Sequence, residues 1–459
     1  MILLRFTCLN HRSMRDEANL SLVSSTLKTA RPANGDWASS TVRVAGVYGP
    51  NASGKSNLLD AIWFANSCIR NSATTWAERP QLPHHPFQLN PDSRDSPSMY
   101  SFDFVEDGVR YEYGFEISAT GVESEWLNAF PSGRRRVLFE RSMDMPIQFG
   151  RSLGGQLQAL ERMASRRTLF LSTAALGKHR LLRALHHALS NHIQFAQYSD
   201  SDRSARIRWV MGLLDDEELR AQATNLLRFA DLGISAISVS AELESSELDE
   251  PVKRALLAFN REVRRKPTPD DSRDGSGEDP EFDEATFLKA LRDVSKSIRF
   301  SHGPSEDCTL DLRDESSGTI AWLSLAVPAL QALKKQTVLL VDELDASMHP
   351  RLTAALVAMF KDPRLNTTGA QLVFTSHDAT LLGHLSPVEL TPDEVWFCQK
   401  DAEGNSELIS LAEFTTRIGD NFERRYLQGR YGALPIISPD ELIHALQSTP
   451  DEATIEHAQ

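Results

Sequence analysis

The sequence predicts an α/β fold. The prediction rests on three apolar runs, which are followed by a glycine-rich loop, an acidic pair and a histidine. The first, residues 42–48, leads into a glycine-rich loop at 49–56 and then into a helical pattern. The second, residues 337–341, is followed by two acidic residues, Asp342 and Glu343, and the third, residues 370–376, is followed by His377. Strand, glycine-rich turn and helix, followed later by two more strands of the buried type, indicate a sheet flanked by helices.

The N-terminal third of the chain also contains a predicted antiparallel lobe. Residues 1–24 have the pattern of a strand, a turn and a second strand. Four later runs alternate apolar and polar residues with a period of two, which is typical of half-buried strands. A hairpin turn is expected at Glu106-Asp107-Gly108. The four runs form a predicted meander and comprise residues 101–105, 110–117, 123–127 and 136–141.

The rest of the chain is predicted from its periodicity and composition. Residues 155–230 have a helical pattern, residues 267–284 are acidic and rich in Pro, Gly and Ser, and strand-like sequence resumes near Ile298. From Leu411 onward the pattern is mainly helical. We therefore predict four parts: an N-terminal lobe at 1–150, a mainly helical insertion at 151–294, a second lobe at 295–400 and a helical C-terminal extension at 401–459.

Composition narrows the class of protein. The chain has 459 residues, is 41% hydrophobic and carries a formal net charge of −14, which argues against a protein built mainly to wrap nucleic acid. No apolar run approaches the ~20 residues that cross a membrane, and the first residues lack the basic segment of a secretory signal. The four cysteines are scattered without a C-x-x-C pair, so a reducing, cytoplasmic location is expected: Cys8, Cys68, Cys308 and Cys398.

The glycine-rich loop is a full match to the G-x-x-x-x-G-K-[ST] phosphate loop. Its glycines let backbone N–H groups point at phosphate oxygens, and the helix that follows adds a favourable dipole. Lys55 can reach the β- and γ-phosphates, and the Ser56 hydroxyl can bind Mg²⁺. The alternative is a chance glycine loop. The predicted ATP-binding residues are Gly49, Pro50, Asn51, Ala52, Ser53, Gly54, Lys55, Ser56 and Asn57.

The acidic pair and the histidine supply the rest of a candidate nucleotide site. Two acids at the end of a buried strand are costly unless a cation or a reaction uses them. Asp342 is expected to hold Mg²⁺, and Glu343 to polarise the attacking water. His377 is expected to bond the γ-phosphate or that water. The alternative for the acids is that they cap the next helix, and the alternative for His377 is an ordinary surface histidine.

These pieces resemble the ATP-binding-cassette (ABC) heads of the SMC/RecF/OLD-like class in their order along the chain. The resemblance implies an ABC-ATPase head with a mixed phosphate-loop sheet and an antiparallel lobe. Its signature, which binds the γ-phosphate held by a partner subunit, corresponds to Ser316, Ser317 and Gly318. Ser317 and Thr319 depart from the commonest form of the signature. An ordinary helix cap is the alternative for this turn.

Further positions follow from the same resemblance. Asp345 lies in a segment that resembles the D-loop, which crosses to the partner. Asn10, Arg12 and Ser13 resemble the N-terminal segment near the nucleotide, and Gln88 is the candidate for the glutamine that links the lobes. The family organisation implies an ATPase with ATP and Mg²⁺ between two head-to-tail copies of the chain. ATP binding would close this dimer and slow hydrolysis would reopen it.

Residues 423–435 resemble a tail of arm-less ATPases from two-gene bacterial anti-phage systems of the PARIS, Septu and RloA/AbiL type. That likeness implies a toxin–antitoxin-like sensor that restrains a separately encoded effector, a nuclease or other toxin, until a phage protein or nucleic acid triggers release. The alternative for the three arginines of this tail, Arg424, Arg425 and Arg430, is a solvated or inter-subunit face.

Three alternative functions would use the same ATPase. A RecF- or SMC-like repair ATPase would close on DNA, an OLD-like nuclease would need a further catalytic domain, and a transporter cassette would need a standard signature. Two basic runs could contact phosphates, although such runs are more often plain surface. They comprise Arg134, Arg135 and Arg136, and Arg261, Arg264, Arg265 and Lys266.

Overall fold

The structure is a computed structural model that describes residues 1–196, 200–230, 232–241, 296–302, 308–417, 419–434 and 446. The predicted acidic loop at 267–284, the basic run at 261–266 and the end of the chain from residue 447 lie outside the described residues. The chain divides into two compact units. The first comprises Met1–Tyr198 and Ala332–Gln459, and the second comprises Ser199–Gln331.

The helices and strands of the described residues are numbered in chain order. The helices are α1 Lys55–Asn71, α2 Pro91–Asp95, α3 Leu157–Met163, α4 Phe170–Leu176, α5 Arg180–Asn191, α6 Asp200–Leu213, α7 Glu217–Phe229, α8 Ser317–Lys335, α9 Pro350–Lys361 and α10 Phe422–Leu427. The strands are β1 Ile2–Leu9, β2 Ala18–Ser21, β3 Val44–Tyr48, β4 Ser98–Glu106, β5 Val109–Ser118, β6 Gly121–Phe130, β7 Arg136–Ser142, β8 Gln148–Phe149, β9 Ile193–Ala196, β10 Ile234–Ala241, β11 Lys296–His302, β12 Thr309–Asp311, β13 Val338–Val341, β14 Gln371–Ser376, β15 Val395–Lys400 and β16 Ser406–Ser410.

A six-stranded mixed sheet forms the centre of the first unit, in the order β16-β15-β3-β14-β13-β9. All its neighbouring pairs are parallel except β15 and β16. Every residue of β3, β13 and β14 is buried, as expected for parallel strands covered on both faces. The ends of β3, β13 and β14 bring together the three polar segments predicted from the sequence.

A seven-stranded antiparallel sheet, in the order β2-β1-β4-β5-β6-β7-β8, accompanies the central sheet in the same unit. Strands β4 and β5 form the predicted hairpin, and both turn residues, Asp107 and Gly108, have positive φ (48° and 74°). Positive φ at two central residues is the geometry that favours Asp-Gly in two-residue hairpins. One buried cluster joins aromatic residues of β4 to apolar residues of α1. The α/β fold class predicted from the sequence is confirmed.

The second unit consists of α6, α7, most of α8 and a three-stranded antiparallel sheet in the order β10-β11-β12. Asp216 caps α7 by accepting hydrogen bonds from the backbone N–H groups of Glu218 and Leu219 at 3.0 and 3.2 Å. The Trp322 indole donates to the carbonyl of Leu226 at 3.0 Å and so ties α8 to α7.

Two segments differ from the sequence pattern in a physically understandable way. The predicted helical run at 155–230 contains β9, a four-residue strand that extends the central sheet beside β13. A run this short is hidden among helical residues and is fixed only by its distant partner. The segment from Leu411, predicted mainly helical, holds a 3₁₀ turn at Leu411–Glu413 and the short helix α10 among its described residues. None of the described helices combines the length and apolar character that a membrane span needs.

Candidate functional site

The phosphate loop connects β3 to α1 with a backbone that only small residues permit. Gly49, Ala52 and Gly54 have positive φ values of 154°, 61° and 108°. A Cβ atom on Gly49 would lie 2.2 Å from the carbonyl oxygen of Cys398, so a side chain at this position is excluded. The loop therefore packs closely against β15 while it turns into the N-terminus of α1, where free N–H groups and the helix dipole favour an anion.

Lys55 lies over this loop. Its Nζ atom donates to the carbonyl oxygens of Gly49 and Pro50 at 2.8 and 2.9 Å and lies 3.5 Å from Nδ1 of His377. The residue is buried, and burial lowers the pKa of its ammonium group. An ammonium group held by carbonyl dipoles at the mouth of a glycine-rich loop is placed to meet phosphate oxygens.

The two predicted Mg²⁺ ligands are in direct contact. The Ser56 hydroxyl donates to Oδ1 of Asp342 at 2.9 Å across 286 positions of sequence. One carboxylate and one hydroxyl, both oxygen donors, suit Mg²⁺, which keeps several waters or phosphate oxygens in its coordination shell. Among the described residues no cluster of three or more His, Cys, Asp or Glu side chains could hold a metal by itself. The donor set therefore fits Mg²⁺ that arrives with a phosphate ligand.

The second acid, Glu343, has an unusual backbone. Its φ is 52°, in the left-handed region that non-glycine residues rarely adopt. Its N–H group donates to Oγ1 of Thr375 at 2.8 Å, and the next N–H, of Leu344, donates to the Thr375 carbonyl at 2.9 Å. Thr375 Oγ1 in turn donates to Oδ1 of Asp342 at 2.7 Å. Thr375 was not predicted from the sequence, and its position two residues before His377 was the available signal.

His377 and Asp345 also meet. The backbone N–H of His377 donates to Oδ1 of Asp345 at 3.2 Å, so the D-loop-like segment is tied to the end of β14. Further along, His349 caps α9 by accepting from the N–H of Arg351 at 3.2 Å. The helix-capping alternative therefore applies to His349, whereas the acids Asp342 and Glu343 remain at the phosphate loop.

Ser13 joins the N-terminal segment to the phosphate loop. Its Oγ accepts from Nδ2 of Asn57 at 2.6 Å and contacts Oγ of Ser406 at 2.8 Å. Ser406 donates to the carbonyl of Ser53 at 2.6 Å, and Sγ of Cys398 reaches the same carbonyl at 3.3 Å. Ser406 and Cys398 were not predicted, because nothing in the sequence links these positions to residue 53.

Arg12 and Asn10 make different contacts. Arg12 has a half-exposed side chain whose Nε donates to Oδ2 of Asp60 at 2.5 Å. Asp60 follows Ser56 by one helical turn, so Arg12 lies beside the start of α1. Asn10 is buried, and its side-chain amide bonds the segment 87–96, accepting from the N–H of Phe87 and donating to the carbonyls of Ser93 and Ser96 at 2.8 to 2.9 Å. Its nucleotide role stays a prediction.

Gln88 is exposed, and its side-chain amide donates to the carbonyl of Pro86 at 3.0 Å. Within the described part of the chain no hydrogen bond joins it to residues 49–57. The neighbouring residue, Phe87, donates its N–H to Asn10, and the lobe-linking role of Gln88 stays a prediction.

The signature candidate lies in the second unit, where it begins α8. The Ser316 hydroxyl accepts from the N–H of Thr319 at 3.1 Å, so this residue is a helix cap, the alternative considered from the sequence. Glu315, just before it, contacts Nε2 of His302 at 2.5 Å. Ser317 is exposed and Gly318 half-buried in the first turn of α8. A cap and an anion site are compatible, because the first turn of a helix leaves several N–H groups free.

Comparison with known proteins places the candidate residues inside a family match. Residues 44–169 and 300–383 match the family described as "AAA domain, putative AbiEii toxin, Type IV TA system". These segments contain the phosphate loop, the signature candidate, the acidic pair and His377. No curated protein matches the chain significantly.

Several solved structures resemble the chain at low identity. A crystal structure of the SmcHead bound to the C-winged helix domain of ScpA has a TM-score of 0.42 and 12% identity, covering 89% of this chain and 97% of that one. The SMC head domain from Thermotoga maritima has a TM-score of 0.37 and 12% identity, covering 89% and 99%. A Pyrococcus furiosus Smc head with an extended coiled coil, bound to the C-terminal domain of ScpA, has a TM-score of 0.36 and 13% identity, covering 89% and 96%.

Proposed function

We propose that this chain, an SMC/RecF-like P-loop ATPase, is a slow cytoplasmic ATP switch that serves as the sensor or scaffold subunit of a bacterial anti-phage system. One observation carries the ATPase part of this proposal. Ser56, Asp342, Thr375 and Glu343 form one hydrogen-bonded chain at the mouth of the phosphate loop, beside Lys55. Phosphate-binding, metal-binding and water-activating groups therefore lie within one small region.

Each residue has a definite task in the proposed reaction. Lys55 exchanges its contacts with the Gly49 and Pro50 carbonyls for phosphate oxygens. Ser56 and Asp342 would hold Mg²⁺, which would neutralise charge on the phosphates of the nucleotide. Glu343 polarises the attacking water, and His377 contacts the γ-phosphate. Asp345, which accepts from the His377 backbone, links this site to the segment proposed to cross to a partner.

The dimer follows from the separation of roles along the chain. We propose that Ser316, Ser317 and Gly318 at the start of α8 bind the γ-phosphate held by a second copy. Their cap geometry leaves first-turn N–H groups for an anion. A single chain then has an incomplete site, so ATP joins two copies and hydrolysis separates them.

The defence role rests on two supports of a different kind. The matched family carries a toxin–antitoxin description. The tail residues 423–434 also pack against the central sheet. The rings of Tyr426 and Tyr431 stack on the ring of Phe397 in β15, with centroid distances of 5.2 and 5.1 Å. Arg424 and Arg430 remain exposed on the same segment. We propose that this face presents the restrained effector, a nuclease or other toxin, and that a phage protein or nucleic acid triggers its release.

A repair ATPase that closes on DNA is the second candidate, and the exposed arginines around the start of β7 favour it. Arg134, Arg135 and Arg136 are all exposed, although Arg135 pairs with Glu140 at 2.8 Å. Exposed arginines contact DNA phosphates in a salt-dependent way. The net charge of −14 weighs against this candidate.

The catalytic assignment is tested with Glu343→Gln, Lys55→Ala and the control Glu389→Gln, which changes an exposed glutamate elsewhere in the first unit. We expect Glu343→Gln to bind ATP, accumulate a dimer and hydrolyse about 10²- to 10⁴-fold more slowly. Lys55→Ala should lose nucleotide binding, and Glu389→Gln should behave like the parent. Parental hydrolysis by Glu343→Gln would refute the assigned role of this residue.

The biological role is tested by purifying Glu343→Gln from its native host with ATP and Mg²⁺, followed by mass spectrometry with and without nuclease treatment. A stoichiometric protein partner that survives nuclease treatment supports the sensor role. Nuclease-sensitive DNA without a protein partner favours the repair ATPase instead.

A further inference from the structure

Thr375 hydrogen-bonds to both acids of the candidate site, Asp342 and Glu343, but has no assigned role of its own in binding or catalysis. It is fully buried near the end of β14. Its hydroxyl has one proton, which is donated to Asp342, and its lone pairs accept the N–H of Glu343. Its carbonyl accepts the N–H of Leu344. One residue therefore holds the side chain of one acid and the backbone on both sides of the other.

The backbone of Glu343 gives this arrangement a physical purpose. A non-glycine residue in the left-handed region costs about 1–3 kcal/mol and persists only where its surroundings hold it. At φ 52°, Glu343 is bracketed by the two hydrogen bonds to Thr375. Without the hydroxyl, one of the two restraints is lost, and the carboxylate of Glu343 is no longer fixed relative to Ser56 and Asp342.

We propose that Thr375 is a positioning residue that fixes the direction of the Glu343 carboxylate and links it to the His377 end of β14. The inference rests on the proposed ATPase function. Its consequence is directional: a shift of His377 on contact with the γ-phosphate moves Thr375, which lies two residues earlier in the chain near the end of β14, and Thr375 carries the shift to Glu343. Misplacement of a reacting group by about 1 Å costs up to about a hundredfold in rate.

The test compares Thr375→Val, which removes the hydroxyl but keeps the shape, with Thr375→Ser, which keeps the hydroxyl. Thr353→Val is a matched control, because Thr353 is also fully buried in the first unit and its Oγ1 has no hydrogen-bond partner among the residues that the structure describes. We expect Thr375→Val to lower kcat about 10- to 100-fold with KM changed less than about twofold. Thr375→Ser should restore most of kcat, and Thr353→Val should match the parent.

A second readout does not need hydrolysis. Amide hydrogen exchange of the peptide that contains Glu343, measured without nucleotide, should become at least about tenfold faster in Thr375→Val, but not in Thr375→Ser or Thr353→Val, because only the first opens the restrained N–H. If Thr375→Val does not fold, Thr375→Ala replaces it. Equal defects in Thr375→Val and Thr375→Ser, or unchanged exchange in the valine variant, would overturn the inference. Absence of hydrolysis in the parent with the expected exchange pattern would count against the proposed function alone.

Discussion

A Cβ atom added to Gly54 would lie 2.1 Å from Oγ of Ser406 and 2.7 Å from Oγ of Ser13. The φ of Gly54 is 108°, which side chains also disfavour. In the phosphate-loop motif, a glycine at this position lets the backbone approach the phosphate closely. The structure adds that the position is closed by two serine hydroxyls, which come from β16 and from the N-terminal segment.

The first prediction concerns this contact. Gly54→Ala should lower the free energy of unfolding by about 2 kcal/mol or more, because of positive φ and overpacking, and should weaken ATP binding at least about tenfold. Urea unfolding and nucleotide titration measure both effects. Gly154→Ala is the control, since a Cβ atom there would meet no atom of the described residues within 4 Å. Equal unfolding free energies and ATP affinities for the two variants would show that the close packing at Gly54 contributes to neither stability nor binding.

Whether a residue of the candidate site could be predicted depends on whether its role is encoded in a short motif or in a contact with a residue distant in sequence. Lys55, Ser56, Asp342 and Glu343 could be predicted because their chemistry is written in short contiguous patterns. The contact of Ser406 with Ser53 spans 353 positions, and that of Arg12 with Asp60 spans 48. A lone serine or aspartate carries no local pattern, so only the folded chain reveals such partners.

At the scale of elements, a strand provides the cap of a helix. Helix α4 follows Leu169, whose side chain cannot cap it. Instead, Glu125 of β6 accepts the N–H groups of Phe170 and Leu171 at 2.6 and 2.9 Å and the Tyr113 hydroxyl at 2.9 Å. Burial raises the pKa of Glu125, although Arg141 at 3.7 Å and these donors oppose the shift.

The pH dependence of stability follows from the sign of this shift. A raised folded-state pKa means that the folded protein holds the proton more tightly, so this contribution to stability is present below the ordinary value of 4.5 and is lost as pH rises through the folded-state value. The difference in unfolding free energy between the parent and Glu125→Gln should therefore fall with rising pH above 4.5, by at most about 1.4 kcal/mol per pH unit.

Urea unfolding at a series of pH values measures this trend. Glu140→Gln is the control, since Glu140 is a partly exposed glutamate of β7 whose surface ion pair with Arg135 contributes at most about 1 kcal/mol to stability. A difference for Glu125→Gln that grows with pH would mean that the hydrogen-bond donors and Arg141 outweigh the effect of burial on the pKa of Glu125.

Elements such as β4 and β5 were predictable from their period of two, whereas the cap of α4 was not, because the capping side chain comes from another element.

At the scale of the whole molecule, the proposed dimer predicts complementation between two inactive variants. Lys55→Ala damages the phosphate loop and Gly318→Asp the signature candidate. If one site needs both features from different copies, mixing the two variants restores one intact site in each mixed dimer. Random pairing should then recover about a quarter of the parental hydrolysis rate, since half of the dimers are mixed and each has one working site. No recovery, with both variants folded and dimer exchange shown, would contradict shared sites.

Strand β3 pairs with β14 and β15, so Val44 lies beside Leu372 and Gly46 beside Val395. On the ribosome, the phosphate loop is therefore synthesised long before either neighbouring strand exists, by on the order of tens of seconds at roughly 5–20 residues per second. During this time the carbonyl of Ser53 also lacks the hydroxyl of Ser406. The candidate nucleotide site is completed only when residues 395–410 emerge, so we expect unfinished chains neither to bind ATP nor to engage a finished copy in the proposed dimer.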